Sequence, residues 1–366
     1  MEITKIVVHG AYRGDNFGDT LLLGLVCREL IQHGYGVSVS NTCSQSLRHL
    51  SDANLIERLV DAKEELGAVA LVYGGGGYFG EQPIGRLRWN LRFIAKHLPI
   101  GFRFIRAGKP VVICGTDFGP LSFWPSRVLV KRLLRSVKYV GARNRESIDY
   151  ITDLGIGMNN IHETADIALS LKELEIDEID QSSGFVSKKR RVLIHPSFNV
   201  DESAEMLKIA NIFRQLTHSD DLEVCLMADR CGSQVQERLE KWASYLGLPA
   251  DCIYKYQGPW KTCALIKASD AVITNKLHTA IVGSAYGKRV ISIAKHPKNA
   301  RYFKQIGRQE LYMSLNQLDF DALQQLILNL ISADLDPITI SEGLLSKAKN
   351  NIKCMLNVID TTCPSL

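Results

Sequence analysis

No apolar run in this 366-residue chain approaches the roughly 18 residues that a membrane-spanning helix requires. The start, Met1-Glu2-Ile3-Thr4, also lacks the basic and then apolar layout of a signal peptide. Both absences predict a cytoplasmic protein, or one peripheral on the cytoplasmic face of a membrane. The nine cysteines include no C-x-x-C pair, and no His stands at zinc-finger spacing. They are odd in number and scattered, several within apolar segments such as Val111-Val112-Ile113-Cys114. Thiols so placed behave as small core residues in a reducing compartment, so neither a disulfide nor a structural metal is expected. No internal repeat of fixed period and no low-complexity segment stands out.

Negative charge is scarce in one stretch. From Gln82 to Arg145, fourteen Lys and Arg face a single acid, Asp117, in a chain whose net charge is only +5. Within it, Arg86-Leu87-Arg88-Trp89-Asn90-Leu91-Arg92-Phe93-Ile94-Ala95-Lys96 interleaves cations with large apolar groups, and Phe102-Arg103-Phe104-Ile105-Arg106 follows. A segment of this kind is drawn to anionic lipid head groups by about 1 kcal/mol per cation near the surface. Peripheral contact with an anionic membrane is therefore one expectation. The competing reading is a solvated helix face whose Trp89 and Phe93 pack on the core. The same charge would attract nucleic acid, which is nevertheless not expected as a partner.

What the chain has in quantity is alternation. With 46% hydrophobic and 23% charged residues, it reads as a globular protein of about two domains. Strands are predicted at Ile6 to His9, Val37 to Ser40, Ala68 to Tyr73, Val111 to Cys114 and Tyr139 to Ala142. Helices are predicted between them, near Thr20 to His33, Asn54 to Glu65, Gly85 to Lys96, Ser126 to Ser136 and Arg145 to Leu154. A composition shift follows at 172–190, with an acidic run, Gln181-Ser182-Ser183-Gly184 and then Lys188-Lys189-Arg190-Arg191. The alternation then restarts with Val192 to Pro196, Leu222 to Met227, Cys252 to Tyr256, Ala271 to Thr274 and Val290 to Ile293. The expected fold is α/β, with two doubly wound, Rossmann-like domains facing across a cleft. Residues 1–175 would form the N-terminal, acceptor-side domain and 190–335 the C-terminal, donor-side domain, with a last helix over 340–360 crossing back to the first.

Three junctions are predicted to open on that cleft. The most informative is Asn275-Lys276-Leu277-His278-Thr279, which follows the apolar run Ala271-Val272-Ile273-Thr274 and sets a cation and an imidazole two residues apart where a strand gives way to a helix. That arrangement suits an anion. The second is Gly14-Asp15-Asn16-Phe17-Gly18-Asp19 after Lys5 to Gly10, and the third is Gly74-Gly75-Gly76-Gly77 after Val69 to Tyr73.

These two segments, together with Ala142-Arg143-Asn144-Arg145-Glu146-Ser147, Asp166 in Thr164-Ala165-Asp166-Ile167-Ala168, and Lys276-Leu277-His278, resemble in order and spacing the polysaccharide pyruvyl transferase family over roughly residues 5 to 300. The resemblance implies a GT-B-like fold. It also implies transfer of the pyruvyl group of phosphoenolpyruvate to a sugar of a cell-surface polysaccharide or its precursor, forming a ketal and releasing phosphate, with no cofactor. The acceptor could be lipid-linked or nucleotide-linked. His278 is implied as general acid or base and Arg143 and Lys276 as donor clamps. This chain has Lys276 where the family usually has Arg, and Ile167 where it often has Pro.

The residues suit that chemistry. A ketal formed from an enol phosphate needs a proton on the methylene carbon, a deprotonated hydroxyl and positive charge for the carboxylate and departing phosphate. An imidazole serves the proton steps, and fixed cations with helix N-termini serve the anions. Lys295 and Lys298 could add charge on the donor side. Asp15, Asn16 and Asp19 are assigned to sugar hydroxyls, although an Asp at position 19 is also what a helix cap or first turn looks like. Gly75, Gly76 and Gly77 would let backbone approach a substrate. Asp166 reads as a loop-structuring residue rather than a base. Gly75-x-Gly77-x-x-Gly80 matches a dinucleotide fingerprint, but its strand is not the first and no acid lies near Ile100 to Arg106. The rival readings are a GT-B glycosyltransferase with a nucleotide-sugar donor and a non-catalytic saccharide-binding relative.

Overall fold

The computed structural model describes residues 4–51, 67–82, 85–173 and 189–362. The helix expected over Asn54 to Glu65 and most of the expected boundary near 172–190 lie outside them. The chain divides into two compact units, one comprising Met1–Asp15, Asp19–Ala168 and Glu342–Leu366, the other Asn16–Gly18 and Leu169–Ser341.

In the first unit, seven strands form one parallel sheet: β1 (Lys5–Tyr12), β2 (Gly36–Thr42), β3 (Ala70–Tyr73), β4 (Gly76–Phe79), β5 (Val111–Phe118), β6 (Tyr139–Ala142) and β7 (Ile161–Glu163). Their order is β2-β1-β3-β5-β6-β7, with β4 also paired to β5. The helices between them are α1 (Phe17–Gln32, whose first two residues are counted with the other unit), α2 (Ser44–Ser51), α3 (Arg86–Lys96), α4 (Leu98–Arg106), α5 (Trp124–Leu134) and α6 (Arg145–Asp153). Strands covered on both faces read as continuous apolar runs, and every residue of β3, β5 and β6 is buried.

The second unit repeats the plan in a six-stranded parallel sheet of β8 (Arg190–His195), β9 (Leu222–Met227), β10 (Ile253–Tyr254), β11 (Ala271–Thr274), β12 (Arg289–Ala294) and β13 (Tyr312–Ser314). The order is β10-β9-β8-β11-β12-β13. Its helices are α7 (Ala204–Thr217), α8 (Ser233–Leu246), α9 (Pro259–Lys267), α10 (Leu277–Ala285), α11 (Pro297–Gln305) and α12 (Phe320–Ile331). Both sheets reverse their winding once, between β1 and β3 in the first and between β8 and β11 in the second. At such a reversal the loops leave in opposite directions and open a crevice at the strand carboxyl ends.

The last helix, α13 (Glu342–Thr362), belongs to the first unit, where it packs on β5 and β6. It buries Leu344, Leu345, Ala348, Ile352, Met355, Leu356 and Ile359, spaced as one helical face. Asn351 lies within that stripe, fully buried, and its Nδ2 donates to the Ala165 carbonyl at 2.6 Å. Gly141 makes room for it, since a Cβ there would stand 2.0 Å from Asn351 Oδ1.

Three details go beyond what the pattern resolved. The glycine run does not lead directly into a helix, because Gly76 to Phe79 pair with β5 through a bulged parallel register as β4. Phe102 to Arg106 belong to a second short helix, α4, which Leu98-Pro99 opens with a proline in the first turn. Helix α1 starts at Phe17, three residues before the predicted Thr20. No helix among the described residues is long and apolar enough to cross a membrane.

Candidate active site

Three neighbouring strands of the second unit, β9, β8 and β11, each deliver a polar residue at the carboxyl end. His195 closes β8, Asp229 lies two residues past β9, and Lys276 lies two past β11. The Lys276 ammonium stands 3.2 Å from Asp229 Oδ2, and Arg230 Nε stands 3.5 Å from Asp229 Oδ1. His195 Nε2 faces the same Oδ1 from 3.8 Å, too far for a hydrogen bond, while its Nδ1 lies 2.9 Å from Thr279 Oγ1. With the ring proton on the nitrogen facing the carboxylate, Nδ1 accepts from the Thr279 hydroxyl. Thr274 Oγ1 accepts from the Lys276 backbone N–H at 3.0 Å and fixes the turn out of β11.

The electrostatics follow from burial and neighbours. Burial lowers the pKa of His195, and although Asp229 works against this the net direction is down, so the ring is neutral near pH 7. Burial alone would raise Asp229, but the His195 ring, Lys276 and Arg230 outweigh it and hold the carboxyl well below its usual range. With the ring neutral, the charges that keep Asp229 ionised are those of Lys276 and Arg230. Two cations against one carboxylate leave an excess of positive charge beside the N-terminus of α10, and the Lys276 side chain keeps 32% of its surface open.

His278 sits in the first turn of α10, half-buried. The segment Asn16–Gly18, counted with this unit, packs against the same place: Phe17 N–H donates to the Asp229 carbonyl at 2.7 Å. Gly18 lies so close that a Cβ would fall 2.0 Å from His278 Nδ1 and 2.8 Å from its Cβ. Only a glycine lets the imidazole and this turn of backbone share the space. Asn16 is half-buried in the same segment. Lys295, exposed, follows β12, the strand next to β11, and Lys298 lies in the first turn of α11, where its backbone N–H donates to His296 Nδ1.

The other expected residues belong to the first unit. Arg143, at the end of β6, is 4% exposed; its Nη2 lies 2.9 Å from Asp117 Oδ2 and its Nη1 3.1 Å from Asp166 Oδ2. Burial works to lower its pKa, and the two carboxylates more than reverse that. Asp117 also accepts from Asn144 Nδ2 and Ser147 Oγ, each at 2.9 Å, and Asn144 caps α6. Asp166 Oδ1 accepts from the Ala168 N–H and so shapes its own loop. Asp15 is buried with φ of 40° and accepts from Ser46 Oγ at 3.0 Å and His49 Nδ1 at 3.2 Å. Asp19 lies in the first turn of α1, its carboxylate directed at Gly76, while Gly75 packs on Leu22 and exposed Gly77 lies beside Arg143 Nη2.

His195, Asp229 and Arg230 join the candidate site through the structure and were passed over in the sequence. The signal was present, since each closes or lies within three residues of the end of an apolar strand that pattern alone identified. A shallow depression of about 550 Å³ elsewhere on the second unit is lined by Asp201, Glu237 and Glu240 with Lys241, a balance that repels a small anion.

Solved structures of similar fold include UDP-GlcNAc 2-epimerase from Neisseria meningitidis bound to UDP-GlcNAc, with a TM-score of 0.65 at 12% identity, covering 97% of this chain and 100% of that one. A putative UDP-N-acetylglucosamine 2-epimerase from Listeria monocytogenes gives 0.63 at 11%, covering 100% and 98%. The Methanocaldococcus jannaschii UDP-GlcNAc 2-epimerase in complex with UDP-GlcNAc and UDP gives 0.59 at 12%, covering 97% and 100%. At such identity the likeness establishes a GT-B-like fold and no more. No curated protein sequence matches significantly. Residues 16–297 match the description polysaccharide pyruvyl transferase, a span that holds Asn16, Gly18, Arg143, His195, Asp229, Lys276 and His278. The chain is a transferase that belongs to the polysaccharide pyruvyl transferase family.

Proposed function

We propose that this transferase moves the pyruvyl group of phosphoenolpyruvate onto two hydroxyls of a sugar in a cell-surface polysaccharide or its precursor, making a cyclic ketal. The observation that carries the reading is the excess positive charge at the winding reversal of the second sheet, with His278 in the adjoining first turn of α10. In the reaction the methylene carbon of the enol phosphate gains a proton, and one sugar hydroxyl adds to the neighbouring carbon as it loses its own. The carbon–oxygen bond to phosphate then breaks and the second hydroxyl closes the ketal, releasing inorganic phosphate.

His278 serves as the group that gives and takes these protons, held in place by Gly18. Lys276, oriented by Asp229, offers charge to the donor carboxylate or phosphate, and Arg230 adds to it. His195 is a positioning residue that holds Thr279 of α10 while its ring faces Asp229. Lys295 and Lys298 supply further donor-side charge, and Asp15, Asn16 and Asp19 with Gly75, Gly76 and Gly77 take the acceptor. Arg143 acts on the donor in this reading while remaining braced by Asp117 and Asp166.

The test is phosphate release from phosphoenolpyruvate with a panel of lipid-linked, nucleotide-linked and free saccharides, with product masses recorded. Acceptor-dependent phosphate and a product heavier by one pyruvyl ketal are expected. Release of a nucleoside diphosphate from a nucleotide sugar would instead establish a glycosyltransferase, and saccharide binding without turnover would establish a binding protein.

A further inference from the structure

Helices α3, α4 and α5 of the first unit contain no acidic residue. Amphipathic patterning turns the aromatic side of α3 inward: Phe93 is buried, and Trp89 stacks on it with ring centroids 5.1 Å apart at 11°. The apolar groups left outside are different ones. Leu87 and Leu91, one turn apart on α3, are 59% and 53% exposed, while Trp124 and Val128, one turn apart on α5, are 71% and 42% exposed. They make up four of the seven exposed large hydrophobic residues among the described residues, and the other three, Met158, Leu207 and Leu328, lie on other elements.

A buried carboxylate ties the two pairs together. Glu81 Oε2 accepts from Asn90 Nδ2 at 2.9 Å and from both the N–H and the hydroxyl of Ser122 at 2.8 Å. Asn90 immediately precedes Leu91, Ser122 lies two residues before Trp124, and α3 packs on α5, so the apolar pairs stand on neighbouring helices. Arg88 and Arg92 on α3 and Arg127 and Arg132 on α5 are exposed beside them.

We propose that this face of the first unit binds the surface of an anionic lipid bilayer, with Trp124, Leu87, Leu91 and Val128 entering the boundary between head groups and acyl chains and the arginines meeting lipid phosphates. Cations attract any polyanion, but four apolar side chains gain nothing against a phosphodiester backbone in water and gain substantially at a lipid interface. A second copy of the chain is disfavoured because a two-fold contact would set like cations against one another. The inference concerns binding alone and does not depend on which reaction the protein catalyses.

The test is co-sedimentation of the full chain with vesicles of phosphatidylcholine containing phosphatidylglycerol, against phosphatidylcholine alone, across a salt series. Binding to the anionic vesicles that weakens with salt is expected. The double variant Arg88→Gln/Arg92→Gln should lower partitioning about 30-fold, at about 1 kcal/mol per cation. The double variant Leu91→Ala/Trp124→Ala should lower it by at least about tenfold, from the lost apolar burial. Trp124 fluorescence, isolated by difference against Trp124→Phe, should shift to the blue on binding. Absence of binding, equal binding to uncharged vesicles, or indifference to either double variant overturns the proposal. So does tight binding to duplex DNA that the arginine variant abolishes and the Leu91/Trp124 variant leaves intact. A dimer in light scattering that Trp124→Ala dissociates would overturn it in favour of self-association.

Discussion

Each unit places a charged group at the carboxyl ends of three neighbouring parallel strands. In the first unit Arg143 leaves β6 between Asp117 of β5 and Asp166 beyond β7. In the second, Lys276 leaves β11 toward Asp229 beyond β9, with His195 of β8 between them. The first group is fully enclosed, with two carboxylates around one guanidinium. The second has two cations around one carboxylate and stays partly open. Their positions in the winding differ as well. The Lys276 group sits at the reversal between β8 and β11, where a doubly wound sheet opens a crevice, and the Arg143 group lies away from the reversal of its own sheet. At the reversal of the first sheet, between β1 and β3, the buried Tyr12 ring packs over Gly10 and its hydroxyl over Gly74. The same architecture thus carries one ionic group closed on itself and one that keeps cationic charge to spare.

The sharpest way to break this contrast is to remove the titratable ring. His278→Ala is expected to lose about 10²–10⁴-fold in kcat, the usual range for a general acid or base, without a change in melting temperature. Its half-buried position at a helix start carries little of the core. Wild-type turnover in that variant would remove His278 from the mechanism.

Arg143→Met tests the other side. Deleting one partner of an enclosed ionic group leaves Asp117 and Asp166 uncompensated, and about 3–5 kcal/mol of unfolding free energy should disappear in a denaturant titration. Lys276→Met, half-exposed as it is, should cost less than about 1 kcal/mol by the same measurement. Equal losses in the two variants would abolish the distinction between an enclosed and an open ionic group.

A third difference lies in acid. His9 and His97 face each other in the first unit with Nε2 and Nδ1 3.0 Å apart, and Ser40 Oγ lies 2.9 Å from the other His9 nitrogen. Burial, then the neighbouring His97 and Arg103, pushes His9 down; burial, then Lys96, lowers His97 to about 4. A histidine depressed in the folded state binds its proton more readily when unfolded. Its contribution is therefore complete above the ordinary value of 6.5 and is lost as the pH falls toward 4. His97 supplies up to about 3 kcal/mol of that loss. Asp229 behaves differently, because its depressed pKa keeps its contribution intact through the same window. His97→Gln should flatten the stability profile between pH 6.5 and 4 by about one proton. A profile of unchanged slope would show that the pair does not titrate as the geometry implies.

The architecture was legible because parallel strands covered on both faces leave uninterrupted apolar runs, as at Val111 to Cys114 and Ala271 to Thr274. Short or edge strands escaped. Ile161–Glu163 and Tyr312–Ser314 are three residues each, and Gly76–Phe79 reads as a loop because glycine carries no apolar pattern. At the candidate site, Lys276 and His278 stood out through their spacing in one junction, whereas Asp229 meets Lys276 and His195 only because β9, β8 and β11 stand side by side in the sheet. Adjacency of that kind lies in strand order, which no local pattern encodes. On the basic face, the segment's charge was visible, but which apolar groups remain outside depended on Trp89 and Phe93 turning inward and on Trp124 arriving from another helix.

The smallest expected effect addresses the position where this chain departs from its family's usual Arg. The Lys276 ammonium is a point charge held 3.2 Å from Asp229 Oδ2, so a donor carboxylate or phosphate must share it with that carboxylate. A guanidinium offers two edges, one able to remain on Asp229 while the other meets the donor in parallel hydrogen bonds. Lys276→Arg is therefore expected to lower the KM for phosphoenolpyruvate roughly fivefold, a gain of about 1 kcal/mol, with a smaller change in kcat. Because Asp229 stays ionised with either cation beside it, the gain should persist across neutral pH. An unchanged KM would mean that the donor never touches this side chain. A raised KM would mean that both edges of the guanidinium close on Asp229, and the excess charge that favours an anion would then rest on Arg230.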